Sequence, residues 1–163
     1  MGQVKTDSFS DTYSGETYPL GSTRVEPAAE VTAGDASLTG DRVWMFVQAD
    51  GTGVAANDLL QRGATSSSYL ATTSTASADR ELINLLGVAQ HAIAADQYSW
   101  VIVKGECVVK TAGVSAGNNL TSSGATAGTA IPATGGATDS FAVFGRATTA
   151  TATGVSDAYV DFR

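Results

Sequence analysis

A mainly β fold, a small β-barrel or β-sandwich with one short helix and an extended N-terminal arm, is what this sequence predicts. Three observations predict it. Runs of β-branched and aromatic residues recur, as in RVWMFVQ at 42–48 and QYSWVIVKGECVVKT at 97–111, and such residues suit a pleated, half-buried surface. Between the runs lie stretches rich in Gly, Asn, Asp and Ser, which close turns. Only one segment has the capping and spacing of a helix.

In chain order, residues 1–40 are polar and without helical period, and carry Tyr13, Tyr18, Pro19 and Pro27. Phe9, Tyr13, Tyr18, Leu20 and Val25 recur every few positions in this stretch, the pattern of an arm that orders against another subunit. A domain over 41–163 follows, and it should stay folded when residues 2–25 are removed. Its clearest strands are RVWMFVQ, the long run at 97–111, SFAVFGRA at 140–147 and DAYVDFR at 157–163. In the long run Tyr98, Trp100 and Ile102 alternate with Val101, Val103, Cys107 and Val109, and Gly105 marks a bulge or tight bend. SADRELINLL at 77–86 reads as the helix, with Ser77 as N-cap and Leu82, Leu85 and Leu86 on one face. Ser/Thr/Ala/Gly-rich stretches at 63–76, 121–139 and 148–156 read as loops.

One short pattern recurs at uneven spacing: VTAGDAS (31–37), VAANDLL (54–60), IAADQY (93–98) and VSAGNNL (114–120). Each runs from an apolar residue through Ala to Gly, Asp or Asn, residues that tolerate left-handed dihedrals and so close a turn between strands. Uneven spacing excludes a solenoid.

Composition narrows the function. Leu, Ile, Val and Phe make up about a fifth of the 163 residues, near the low edge for chains that fold by burying a core. A thin core predicts stability borrowed from neighbours, hence a homo-oligomer. The formal charge is −7, from 16 acidic and 9 scattered basic residues, so there is no basic cluster to displace counterions from a nucleic acid. The longest strongly apolar run, Trp100–Val103, is far short of a bilayer span. The single cysteine forms no internal disulfide.

The rare residues gather at 87–111, which holds the only histidine, His91, the only cysteine, Cys107, and Trp100. A hairpin turn centred between Ala95 and Asp96 sets His91 opposite Trp100, with Cys107 roughly 20 Å farther along the strand. A Cys–His dyad needs contact at about 3 Å, so this stretch reads as a wall. GVSAG at 113–117 fits a nucleophile elbow at Ser115, but NNLTSSG follows where the elbow needs a helix, and the histidine lies upstream. GTGVAA at 51–56 reads as a turn, because no acidic residue stands where a dinucleotide site needs one. NLT at 119–121 is a glycosylation sequon only in a secreted protein. One His and one Cys cannot supply a tetrahedral zinc site. The expectation is a protein with no catalytic residue, no cofactor and no metal.

LLGVAQHAIAADQYSWVIVKGECVVKTAGVSAGNNL at 85–120 resembles segments of small capsid-associated proteins of tailed bacteriophages. These share a GVA…Y-x-W-V-x-V-x-G…V pattern followed by A-G-x-x-L. RVWMFVQADGTGVAANDLLQR at 42–62 and the closing YVDFR are similar to the same group. The resemblance implies a capsid decoration, or cement, protein: a structural virion component that binds the major capsid protein on the outer surface of the assembled head. It also implies a trimer, made in the host cytoplasm, that contacts neither nucleic acid nor membrane. An acidic surface suits the outside of a shell better than its DNA-lined interior. The alternatives are a head-fibre base or tail component, and, from another class, a carbohydrate-binding β-domain using Trp44, Tyr69 and Trp100.

Overall fold

The computed structural model describes residues 8–28, 30, 40–63, 69–74, 84–123, 125–133 and 143–162. The protein is mainly β. Among the described residues ten strands join one sheet: β1 (Thr23–Glu26), β2 (Arg42–Ala49), β3 (Leu59–Arg62), β4 (Leu70–Thr73), β5 (Leu85–Val88), β6 (Tyr98–Val114), β7 (Asn119–Ser122), β8 (Ala130–Pro132), β9 (Gly145–Ala147) and β10 (Thr151–Asp161). The pairings close on themselves twice. The path β2–β4–β3–β5–β6 returns to β2, and β6–β10–β9–β7–β8 returns to β6. Two five-stranded circuits therefore share one strand. The first half of β6 pairs β2 (Phe46↔Trp100, Trp44↔Ile102) and the second half pairs β10 (Cys107↔Ala158, Val109↔Ser156).

Small side chains explain how so short a circuit closes. Val47, Ala49, Val54, Leu60, Ala71, Leu86, Ala89, Ile93 and Val101 pack together as one buried cluster, with members from all five strands of the first circuit. A barrel of few strands has a narrow interior, and Ala and Val fit it. A larger cluster joins Trp44, Phe46 and Trp100 to the interior of the second circuit, which includes Cys107, Val109, Leu120, Phe144, Ala158 and Val160.

Three recurrences of the V/I-x-A-[N/D/G] pattern make one kind of turn. Asp58 N–H donates to Ala55 O, Gln97 N–H to Ala94 O and Asn118 N–H to Ser115 O. The third residue of each turn is left-handed: Asn57 at φ 66, Asp96 at φ 61 and Gly117 at φ 88. The first recurrence, at 31–37, lies outside the described residues.

Gly105 is the irregularity that the sequence signals, and it changes the face assignment. Between the pairs Val43↔Lys104 and Trp44↔Ile102 the register slips, leaving Val103 as an extra residue on β6. Gly105 follows at φ +112, and a Cβ there would lie 2.6 Å from Asp41 O. An inserted residue inverts every later side chain. Cys107 and Val109 accordingly join Trp100 and Ile102 in the larger core, not Val101 on the opposite face.

Other expectations also shift. The stretch 148–156 is not a loop throughout, because β10 begins at Thr151 and pairs Thr151↔Val114; its threonines are β-branched and enter the ladder. Likewise β4 lies within 63–76 and β8 within 121–139. Most of the helix expected at 77–86 lies outside the described residues, and its last two, Leu85 and Leu86, open β5.

The aromatic residues of the N-terminal stretch find their surface on the same chain. Phe9 stacks on Trp44 with ring centroids 4.8 Å apart, and Tyr13 and Tyr18 set their edges against Phe46. Tyr13 and Tyr98 exchange two backbone hydrogen bonds of 2.9 Å. β1 then pairs β2. Residues 8–26 thus form a strap that covers the outer face of the first circuit.

Candidate functional site

His91, in the connection from β5 to β6, has Nε2 2.8 Å from Ser99 Oγ. The Ser99 hydroxyl donates to the Asp11 carbonyl at 2.6 Å. Its one proton is thereby committed, so the His91 Nε2–H is the donor. His91 meets Ser99 and not Trp100, one residue from the expected register. The left-handed Asp96 and the bridge from Ile93 to Val54 take the segment before β6 out of simple hairpin counting. Burial lowers the His91 pKa, against the opposing charge of Asp11. The unit ties the strap to the first circuit.

Cys107 is fully buried and its thiol is pushed up to about 12, chiefly by burial. From Ser99, which holds His91, to Cys107 the strand advances roughly 25 Å at about 3.3 Å per residue. The structure does not bring them together. Ser115 is exposed in the turn between β6 and β7, where its N–H donates to Asn118 Oδ1 at 2.8 Å; a strand follows it, as the sequence reading requires. GTGVAA likewise leads into β3. Burial pushes the Asp50 carboxyl up, but hydrogen bonds from Thr52, Thr72 and Gly53 outweigh this and hold it below its usual range.

Two buried ionic clusters had no signal in the sequence. Asp58, 4 % exposed, accepts from Ala55 N–H at 3.2 Å and from the Thr73 hydroxyl at 3.2 Å, and pairs with Lys110 on β6. Gly128 stands against it, and its backbone links Leu59 and Ser74. The cluster pins the 125–129 loop of the second circuit to the strand ends of the first. At the other end Trp44 Nε1–H donates to Glu26 Oε2 at 2.9 Å, and Arg42 lies 3.9 Å from the same oxygen. Both sets join residues distant in sequence, which no local pattern reveals.

Two of the three aromatic residues expected of a saccharide platform are covered. Trp44 and Trp100 are buried. Tyr69 is half-buried beneath the Arg62 guanidinium, 5.7 Å from its ring centroid. Among the described residues no group of three His, Cys, Asp or Glu is placed to hold a metal ion, and no helix is long and apolar enough to cross a membrane.

Four large apolar side chains stand on the surface among the described residues. Val25, Val143, Val155 and Tyr159 are exposed, Val155 by 49 % and Tyr159 by 44 %. Beside Val155 a cavity of about 370 Å³ opens between Lys110, Ala112, Thr126, Thr129 and Gly154. Compared with known proteins, the chain matches no family model and no curated protein.

Proposed function

We propose that this protein is a structural virion component: a capsid decoration protein that binds the outside of an assembled phage head and reinforces it, without catalysing a reaction. One observation carries the reading. The residues through which 85–120 resembles small capsid-associated phage proteins are the framework of the shared strand. Trp100 and Val101 face its two cores, Gly105 sits at its bulge, and Gly117 and Leu120 set the turn into β7. A resemblance in framework residues extends to architecture, whereas one confined to surface loops would not. The partner is the major capsid protein, and the resemblance to decoration proteins favours a homotrimer. The net charge of −7 suits an outer surface.

The test is co-sedimentation of the purified protein with undecorated heads, alongside retention on polysaccharide resins, with mass measured in solution. Saturable binding to heads and none to resins is expected. Retention on a resin with no binding to heads would replace this reading with the carbohydrate-binding one.

A further inference from the structure

Among the described residues two stretches of strand have a neighbour on one side only. β1 pairs β2 and no other strand. On β10 the pairing with β9 stops at Ala158, and Thr148 and Thr149 extend it by bonding Asp157 O. From Thr151 to Ser156, β10 has β6 on one side and no strand on the other.

The bonds around these stretches fix which way their backbone groups point. Phe46 N–H donates to Ser22 O, and Gly21 N–H donates to Phe46 O, so Phe46 turns its backbone toward β1. In an antiparallel pair that direction alternates along the strand. Trp44 and Arg42 therefore also face β1, and their partners Arg24 and Glu26 face back. Thr23 and Val25 are left with N–H and C=O turned outward. On β6, Lys110 N–H donates to Asn57 O, away from β10. Its partner Val155 points its own N–H and C=O away from β6, in step with Asp157, whose C=O accepts from Thr148. Among the described residues nothing bonds the outward groups of Thr23, Val25 or Val155.

Each free edge also holds an apolar side chain in solvent: Val25 is 60 % exposed and Val155 49 %. Soluble proteins ordinarily guard such edges with charge, proline or a covering loop. The charges of β1 do not serve as guards. Arg24 lies over the Phe9 and Trp100 rings, and Glu26 accepts from Trp44 Nε1–H. Residues 151–156, TATGVS, carry no charge. Both edges have the form Thr-x-Val, at 23–25 and at 153–155, and β-branched residues suit a cross-strand pair.

The two edges are different surfaces of one chain. Pairing β1 with β1 of another copy would leave both β10 edges open, whereas pairing β1 with β10 uses one of each. Such a head-to-tail contact is heterologous, and it ends in a ring when the rotation closes. We propose that β1 of one copy adds to the open edge of β10, at Thr153–Val155, in a second copy of this chain, and that three such contacts close the homotrimer. The inference rests on the trimer of the decoration reading and supplies its interface.

The test measures mass in solution for the full chain as wild type, Val25→Pro, Val155→Pro and the control Val143→Asp. Proline at either valine removes only an outward N–H, which an edge strand tolerates; circular dichroism checks that each variant is folded. Wild type and control should have the mass of a trimer, and each proline variant that of a monomer. Folded proline variants that stay trimeric overturn the edge contact and leave the decoration reading standing. A monomeric wild type overturns the contact as well, while co-sedimentation with heads reads the decoration function separately. A second measurement needs no proline. The double variant Val25→Cys/Val155→Cys, treated with a short bis-maleimide, should give a covalent trimer on a denaturing gel, and each single variant only monomer, since Cys107 is buried. Covalent dimer from a single variant, or no linkage in the double variant, refutes the head-to-tail arrangement.

Discussion

Replacing each tryptophan by phenylalanine separates two kinds of buried indole. Both rings are buried, Trp44 at 4 % and Trp100 at 0 % exposure, and both lie in the same aromatic cluster. Loss of part of the ring costs each variant about 1 kcal/mol in cavity and contact. The hydrogen bonds differ. Trp44 Nε1–H donates to the buried Glu26 carboxylate at 2.9 Å, and losing a bond to a charged acceptor costs a further 1.5–3 kcal/mol or so. Trp100 Nε1 is buried without a partner, and removing an unsatisfied donor returns about 1–3 kcal/mol. Trp44→Phe should therefore destabilise the protein by about 3 kcal/mol, whereas Trp100→Phe should leave stability unchanged or raise it by up to about 2 kcal/mol. The assay is urea denaturation followed by far-ultraviolet circular dichroism, since each variant loses part of its fluorescence. Equal losses in the two variants would refute the reasoning, because they would mean that packing alone decides and the donor at Trp100 costs nothing.

The strap is predicted to be part of the core, not a detachable tail. Deleting residues 1–20 uncovers Trp44, Phe46 and Trp100, each worth about 1.5–3 kcal/mol of burial, a sum comparable with the whole stability of a typical domain. The truncated chain should be unfolded or aggregated by circular dichroism and sedimentation, and a soluble, cooperatively folding product would contradict this. His91 supplies a pH dependence. Burial depresses its folded pKa below 6.5, so its contribution is present above pH 6.5 and lost as pH falls through the folded value. His91→Gln should remove that acid-side slope from urea midpoints measured across pH, and an unchanged slope would assign it to other groups. Cys107, with its thiol raised to about 12, should resist thiol reagents in the native state at pH 8 and react only at the rate of unfolding. Fast labelling without unfolding would show that the β6–β10 wall opens locally.

The parts of the fold legible in the sequence are those where one face is dense with large side chains. RVWMFVQ and YSWVIV announce β2 and the first half of β6, because burial on the strap side demands aromatic and β-branched residues there. β4, β8 and the start of β10 lie in stretches of Ala, Thr and Ser, since strands inside a narrow circuit must be small, and small residues look like loop. The partner of the N-terminal aromatics was beyond local reading: Phe9 and Trp44 meet across more than thirty residues of chain. Gly105 was legible as an irregularity, but its effect on the face of Cys107 depends on the slip at Val103, which only the pairing with β2 reveals. The separation of His91 and Cys107 followed from strand rise alone.

A strand shared by two circuits also has a birth order. Ribosomal synthesis delivers β2 to β5 before β6, so the first circuit can close as soon as the early part of β6 emerges. The later part of β6, from Gly105 to Val114, then waits for β10, which begins only at Thr151. Until then, a long edge rich in valine lacks its main partner, the kind of surface on which nascent chains pair wrongly with one another. The lysines at 104 and 110 and the acid at 106 lie along the outer face of that waiting edge. Their charges oppose the close stacking of like copies, so the half-made protein is kept apart by side chains that the finished fold turns to another use, Lys110 pairing with Asp58 and Lys104 with Asp161.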